Sequence, residues 1–140
     1  MIELTDEFRE RLSTAMMDGF PVVVASVDAD SVPHVSFYGT TQVFDRDHLA
    51  LWARDPEGLA ARILTNPRVA LVYRNSPERV TWLFDGIARR DDDPAVRDQV
   101  FDASPELERN QDPDRKGIAI VIELTRVRGR GFVWERDSDS

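Results

Sequence analysis

The apolar pattern of this chain changes period several times. Over residues 5 to 17 it is helical: Phe8, Leu12 and Met16 recur every four residues, Thr5 can cap the helix, and Asp6 and Glu7 suit its first turn. Gly19 and Pro21 end that helix, and Pro21 to Val27 is β-branched enough to read as a strand. The turn Asp28 to Ser31 leads through Val32 and Pro33 into a second long strand, His34 to Phe44. There Val35, Phe37 and Gly39 alternate with Ser36, Tyr38 and Thr40, so the two strands form a hairpin. Asp45-Arg46-Asp47 is a tight turn that returns the chain as a third strand, His48 to Arg54.

The stretch Leu49 to Asn75 is the organising segment of the chain. Its strand runs into a short helix with Asp55 as N-cap and Pro56 at the first helical position, and a break at Asn66-Pro67 precedes a fourth strand, Arg68 to Arg74. Free backbone N–H groups and the positive end of the helix dipole meet there beside Arg54 and Arg62, a candidate anion site; the alternative is a strand–helix–strand unit that binds nothing. A fifth strand spans Arg79 to Arg89, with Val80, Trp82, Phe84 and Ile87 as apolar members and Gly86 marking a bulge or close approach. Asp91 to Asp93 read as a solvated helix start rather than a metal site, opening a helix from Pro94 to Ala103 with Val96, Val100 and Phe101 inward. A polar loop from Ser104 to Lys116, with one turn around Glu106 to Arg109, precedes the most apolar strand, Gly117 to Val127, which its composition places centrally. A short last strand is expected over Arg128 to Val133, and residues 135 to 140 are expected to be a disordered tail on a single domain of residues 1 to 134. The fold class is α+β: a six-stranded antiparallel barrel or strongly curled sheet with three flanking helices. A doubly wound parallel sheet fits poorly, because most strands are joined by short turns.

Composition narrows the chemistry. The length of 140 residues suits one core. A formal charge of −8 with scattered arginines argues against nucleic acid and anionic membranes as partners. No apolar run approaches the roughly 18 residues of a membrane span, and the charged N-terminus does not read as a signal peptide, so the expected location is the cytoplasm. With no cysteine, disulfides, thiol catalysis and thiolate metal sites are excluded. The two histidines, His34 and His48, sit at strand ends and read as surface or hydrogen-bonding residues; two are too few for a multi-histidine metal site. No G-x-S-x-G, G-x-G-x-x-G or phosphate-loop string occurs, and the 26 acidic residues make any carboxylate pair uninformative. The chain therefore offers no self-contained catalytic set and nominates no particular acid or base, so if it performs chemistry a cofactor is expected to carry the reactive centre. Aromatic residues point to where one could sit. Trp52 ends the third strand just before Arg54, Tyr38 and Thr40 lie on its neighbour, and Trp82 is on the fifth strand, an arrangement suited to a planar ligand carrying a phosphate. The alternative for such tryptophans is a place in the core or a dimer interface.

The strings PVVVASVDADSVPHVS, LALWARDPEGLAARILTNPRVALVY, FDGIARRDDD and GIAIVIELTRVRG, in that order, resemble the FMN-binding split-barrel superfamily related to pyridoxamine 5′-phosphate oxidase, over almost the whole chain. The resemblance implies a homodimer with two flavin sites at the subunit interface, the phosphate near the start of the helix after the third strand, and a small-molecule substrate. It nominates as cofactor-binding Tyr38 and Trp52 for ring or tail packing, Thr40 and Arg54 for polar contacts, and Ala53, Gly58, Leu59 and Arg62 around the helix start, with backbone amides near Glu57 and Gly58 as phosphate donors. The sequence departs from the superfamily at this point. Where a serine-arginine-lysine-like string commonly holds the phosphate, it has Glu57, Gly58 and Leu59, and the basic positions of the second strand fall near Phe37 and Gln42. A carboxylate beside a dianion costs on the order of 1 kcal/mol or more, which Arg54, Arg62 or Arg74 could offset. The residues leave three readings: an FMN-type oxidoreductase, with the long-tailed deazaflavin as a variant ligand; a split-barrel protein without cofactor that binds ligands or partners; or an unrelated small β-barrel binding domain.

Overall fold

The computed structural model describes residues 1–137. It has helices α1 (Asp6–Thr14), α2 (Leu59–Thr65), α3 (Pro94–Asp102) and α4 (Glu106–Arg109), and strands β1 (Val23–Val27), β2 (Pro33–Phe37), β3 (Gln42–Asp45), β4 (His48–Ala53), β5 (Arg68–Asn75), β6 (Val80–Arg90), β7 (Ile118–Gly129) and β8 (Phe132–Glu135). The strands form one antiparallel sheet in the order β2-β1-β5-β6-β7-β4-β3, with β8 paired to β7. The α+β antiparallel expectation stands, with eight strands and four helices among the described residues in place of six and three.

One added strand comes from a break in the expected run His34 to Phe44. The Tyr38 N–H donates to the Val22 carbonyl and the Thr41 N–H to the Tyr38 carbonyl, which turns the chain. Its first part stays with β1 as β2, while its second part, β3, pairs with β4 at the far end of the strand order. The chain end differs too. Arg136 donates to the Leu124 and Asp47 carbonyls and pairs with the Asp47 carboxylate at 3.1 Å, so the expected tail is anchored through residue 137. The remainder of that tail, residues 138 to 140, lies outside the described residues.

Strand β7 is apolar because both its faces are covered. Ile118, Ile120, Ile122, Leu124 and Val127 enter the main core, where α1 contributes Phe8, stacked on Trp82 with ring centroids 4.0 Å apart, and Leu12. Ala119 and Val121 face a second cluster of Ala50, Trp52, Val100 and Phe101 beneath α3. Helix α3 is held at its start by Asp93, whose carboxylate accepts the Ala95 N–H at 2.9 Å. The neighbouring Asp91 and Asp92 pair with Arg89 and Arg90. No helix among the described residues is long and apolar enough to cross a membrane.

The loop after α4 is fastened by one buried carboxylate. Asp112 accepts hydrogen bonds from the Trp52 indole N–H (2.8 Å) and the backbone N–H groups of Lys116 (2.9 Å) and Gly117 (2.8 Å). Burial alone would push this carboxyl up. The three donors and the positive charge of Arg54 outweigh burial and hold it below its ordinary range.

Between Asp85 and Gly86 the β6–β7 register shifts, and a Cβ on Gly86 would press into the Ile122 side chain and the Glu123 carbonyl. Gly86→Ala is therefore expected to cost about 1–3 kcal/mol in urea unfolding, and an unchanged midpoint would contradict this packing. Because the Asp112 carboxyl titrates lower folded than unfolded, its contribution to stability is full above the ordinary carboxylate value of about 4 and is lost as pH falls from there through its lowered folded value. Asp112→Asn should be destabilised by about 1–3 kcal/mol at neutral pH, and its stability should fall less steeply than the native chain's below about pH 4.

Candidate functional site

A cleft of about 430 Å³ opens where the turn after β2 meets the end of β4, bordered by Tyr38, Gly39, Thr40, Arg54, Asp55 and Glu108. Its volume is within the range of small-molecule sites. Thr40 fixes its geometry. This buried hydroxyl accepts the Trp52 N–H at 2.9 Å and donates to the Trp52 carbonyl at 3.0 Å, tying the turn to the strand on both sides of one residue. Gly39 is needed by close approach, since a Cβ there would collide with the Met16 side chain and meet the Glu108 carboxylate at 3.0 Å. The half-buried Tyr38 phenol is pushed up by burial, which outweighs the nearby Arg62 charge and a hydrogen bond from the Leu59 amide, so the hydroxyl stays neutral.

The helix start differs from expectation. Asp55 and Pro56 do not open α2; Gly58 occupies its cap position and the helix begins at Leu59. The Asp55 carboxylate instead folds onto its own turn, accepting the Glu57 N–H at 2.9 Å, while the Asp55 carbonyl takes the Gly58 N–H at 3.4 Å. Both backbone donors nominated for a phosphate are thus occupied by one aspartate. The arginines that could compensate are engaged as well. Arg54 lies 3.9 Å from the Glu108 carboxylate, the Arg62 Nε donates to the Ser26 hydroxyl at 2.7 Å, and Arg74 donates to the Thr81 hydroxyl at 2.7 Å. With Asp55 and Glu108 both at the cleft, this corner does not fit the phosphate of FMN.

Of the nominated residues, the fold brings Tyr38, Thr40, Trp52 and Arg54 to one cleft. The indole of Trp52, however, is 4% exposed and committed to the α3 side: it meets Phe101 edge-on at 5.2 Å, lies 4.8 Å from the Arg97 guanidinium and donates to Asp112. Ala53 and Leu59 are core residues, Gly58 is the helix cap and Arg62 reaches back to β1. Glu57 is exposed. The acidic group at the corner is Asp55, and Glu108 joins it from α4, a pairing for which the sequence carries no local signal. Neither histidine borders the cleft: His34 bonds Asp28 at 2.9 Å, and the His48 Nδ1 lies within 2.9 Å of both Asp45 and Asp47 in the β3–β4 turn.

No family model matches the chain, and no curated protein sequence matches it significantly. Solved structures do. HupZ of Group A Streptococcus superposes with a TM-score of 0.70 at 14% identity, covering 96% of this chain and 99% of that one. A candidate pyridoxamine 5′-phosphate oxidase of Lactobacillus delbrueckii gives 0.67 at 22% identity over 90% and 93% of the two chains. An FMN-binding protein of Syntrophomonas wolfei gives 0.65 at 7% identity over 91% and 88%. At these identities the likeness is one of fold, and it agrees with the order of strings along the sequence: this chain has the fold of the FMN-binding split-barrel superfamily.

Proposed function

We propose that this protein forms a homodimer across its open sheet face and binds a small planar molecule of the flavin class beside Tyr38, Thr40 and Arg54, with oxidoreductase chemistry supplied by the bound ring. One observation carries the reading. Directly opposed partners share a face of a sheet, and the register Phe37–Val23–Val72–Leu83 runs an apolar band across β2, β1, β5 and β6, extended by Val35 opposite Ala25. Val35 and Phe37 are 72% and 68% exposed. Apolar patches of this kind mark interaction surfaces, and Phe37 borders the ligand cleft as well. A second copy seated on the band would therefore help to wall the cleft. The fold likeness to an FMN-binding protein and a candidate pyridoxamine 5′-phosphate oxidase supports the ligand class. The protein's own part would be to position the ring and exclude water, since the cleft holds no histidine.

A second reading, a split-barrel binding protein without cofactor, draws on a different observation: the Trp52 indole and Leu59 are packed into the core, and Asp55 has taken the amides a phosphate would use. Spectroscopy and thermal shift separate the two. The purified full-length chain is expected to melt higher with at least one of riboflavin, FMN, FAD and a deazaflavin, because a ligand of the folded state raises its stability. No shift with any of them would leave only the cofactor-free reading.

Sedimentation velocity is expected to show a dimer that Phe37→Asp converts to monomer; a monomeric native chain would remove the shared-cleft model. Arg54→Ala should weaken flavin binding at least several-fold, and unchanged affinity would remove Arg54 from the site.

A further inference from the structure

We infer that Asp55 is a specificity-determining residue that turns the helix-start corner against phosphate, so that the cleft selects ring compounds without a phosphate ester over phosphorylated ones. The ring class rests on the proposed flavin-type function; the exclusion of phosphate does not. It stands on three features of the corner. The two donors of the turn are used: Glu57 N–H bonds the Asp55 carboxylate and Gly58 N–H the Asp55 carbonyl. The space is used, because the second carboxylate oxygen of Asp55 lies 3.3 Å from where a Cβ on Gly58 would stand, folded over the turn that a phosphate would have to approach. The charge is wrong: Asp55 and Glu108 border the cleft against Arg54 alone, and Arg54 divides its charge between Glu108 and the buried Asp112. A monoester dianion would have to displace the Asp55 carboxylate from the Glu57 N–H while facing two carboxylates. An uncharged polyol or ring edge would meet Tyr38, Thr40 and Arg54 without either cost.

Two substitutions separate occupancy from charge. Asp55→Asn retains a side-chain oxygen for the Glu57 N–H and removes the charge, whereas Asp55→Ala removes both. Asp55 is exposed, so both variants are expected to fold, which a thermal melt checks. With isotope-labelled full-length protein titrated with inorganic phosphate, the Glu57 amide resonance should stay in place in the native chain and move in Asp55→Ala, which removes its carboxylate partner. Riboflavin should bind the native chain at least several-fold tighter than FMN, and Asp55→Asn should narrow that ratio several-fold by tightening FMN binding. Movement of the Glu57 amide in the native chain, FMN binding tighter than riboflavin, or an Asp55→Ala corner as silent to phosphate as the native one would each overturn the inference. If neither flavin binds, the flavin-class reading falls and the phosphate titration still decides the role of Asp55.

Discussion

Residues Tyr38 to Thr41 carry the chain from β2, at one end of the hydrogen-bonded strand order, to β3 at the other. In a flat sheet those two strands would lie about 29 Å apart at the usual spacing between neighbours. Four linking residues, even fully extended, cover roughly 17 Å. The sheet must therefore curl until its edges approach one another, whatever else the sequence does. The double hydrogen bond between the Thr40 hydroxyl and the Trp52 backbone holds the closing segment against β4. The fold and its cleft thus share a cause: the cleft lies at the seam where the edges are brought together, and the residues that close the sheet also border it.

Curling gives the sheet an inside, and the inside has to be filled. Ile2, Leu4, Phe8 and Leu12 from the N-terminal segment and α1 do so together with one face of β7. The outside is treated unevenly. Over β4 and β7 it is covered by α3, whose Val100 and Phe101 bury Ala50, Trp52, Ala119 and Val121. Over β2, β1, β5 and β6 the band from Phe37 to Leu83 is open at its β2 end, where Val35 and Phe37 are exposed, and is only partly buried at Val23, Val72 and Leu83. A sheet apolar on an open face lowers its free energy by taking a partner there, so the surface proposed for the second subunit derives from where α3 does and does not reach. Asp112 stands on the covered side. By holding the Trp52 indole to the loop before β7, it fixes the strand end from which Arg54 projects.

Much of this is legible in the sequence wherever structure is decided locally. Pro94 with three preceding aspartates places the start of α3 at the residue observed, and the β-branched runs place β5, β6 and β7 to within two residues at either end. Gly86 marks a bulge, as a glycine inside a strand pattern suggests. The departures fall where a tertiary choice overrides a local one. Alternation continues smoothly from His34 to Thr40, so nothing local announces that the chain leaves β1 at Tyr38 for β4. An aspartate before a proline can cap a helix or its own turn with similar chemistry, and at Asp55 the turn wins. The anchored tail escapes a local reading because the partners of Arg136 are the Leu124 and Asp47 carbonyls, distant in sequence. The Asp112–Trp52 bond and the arrival of Glu108 at the cleft are long-range pairings of the same kind.

Fold and ligand are set by different parts of this chain. The strand order and the short bridge define the seam at which the cleft lies, and the overall fold is shared with structures of as little as 7% identity. Which molecule lies there depends on side chains that the fold leaves free to vary. The overall charge of −8 is not the deciding term, because solvent ions screen distant charges within about 10 Å. Asp55 and Glu108 act inside that distance, at the cleft itself, and the carboxylate of Asp55 sits on the amide that an anion would need. The short turn after β4 is closed by its own first residue, whose carboxylate and carbonyl take the Glu57 and Gly58 N–H groups. Fold likeness therefore carries the architecture alone, and the charge that the cleft accepts has to be read from its own side chains, Asp55 first among them.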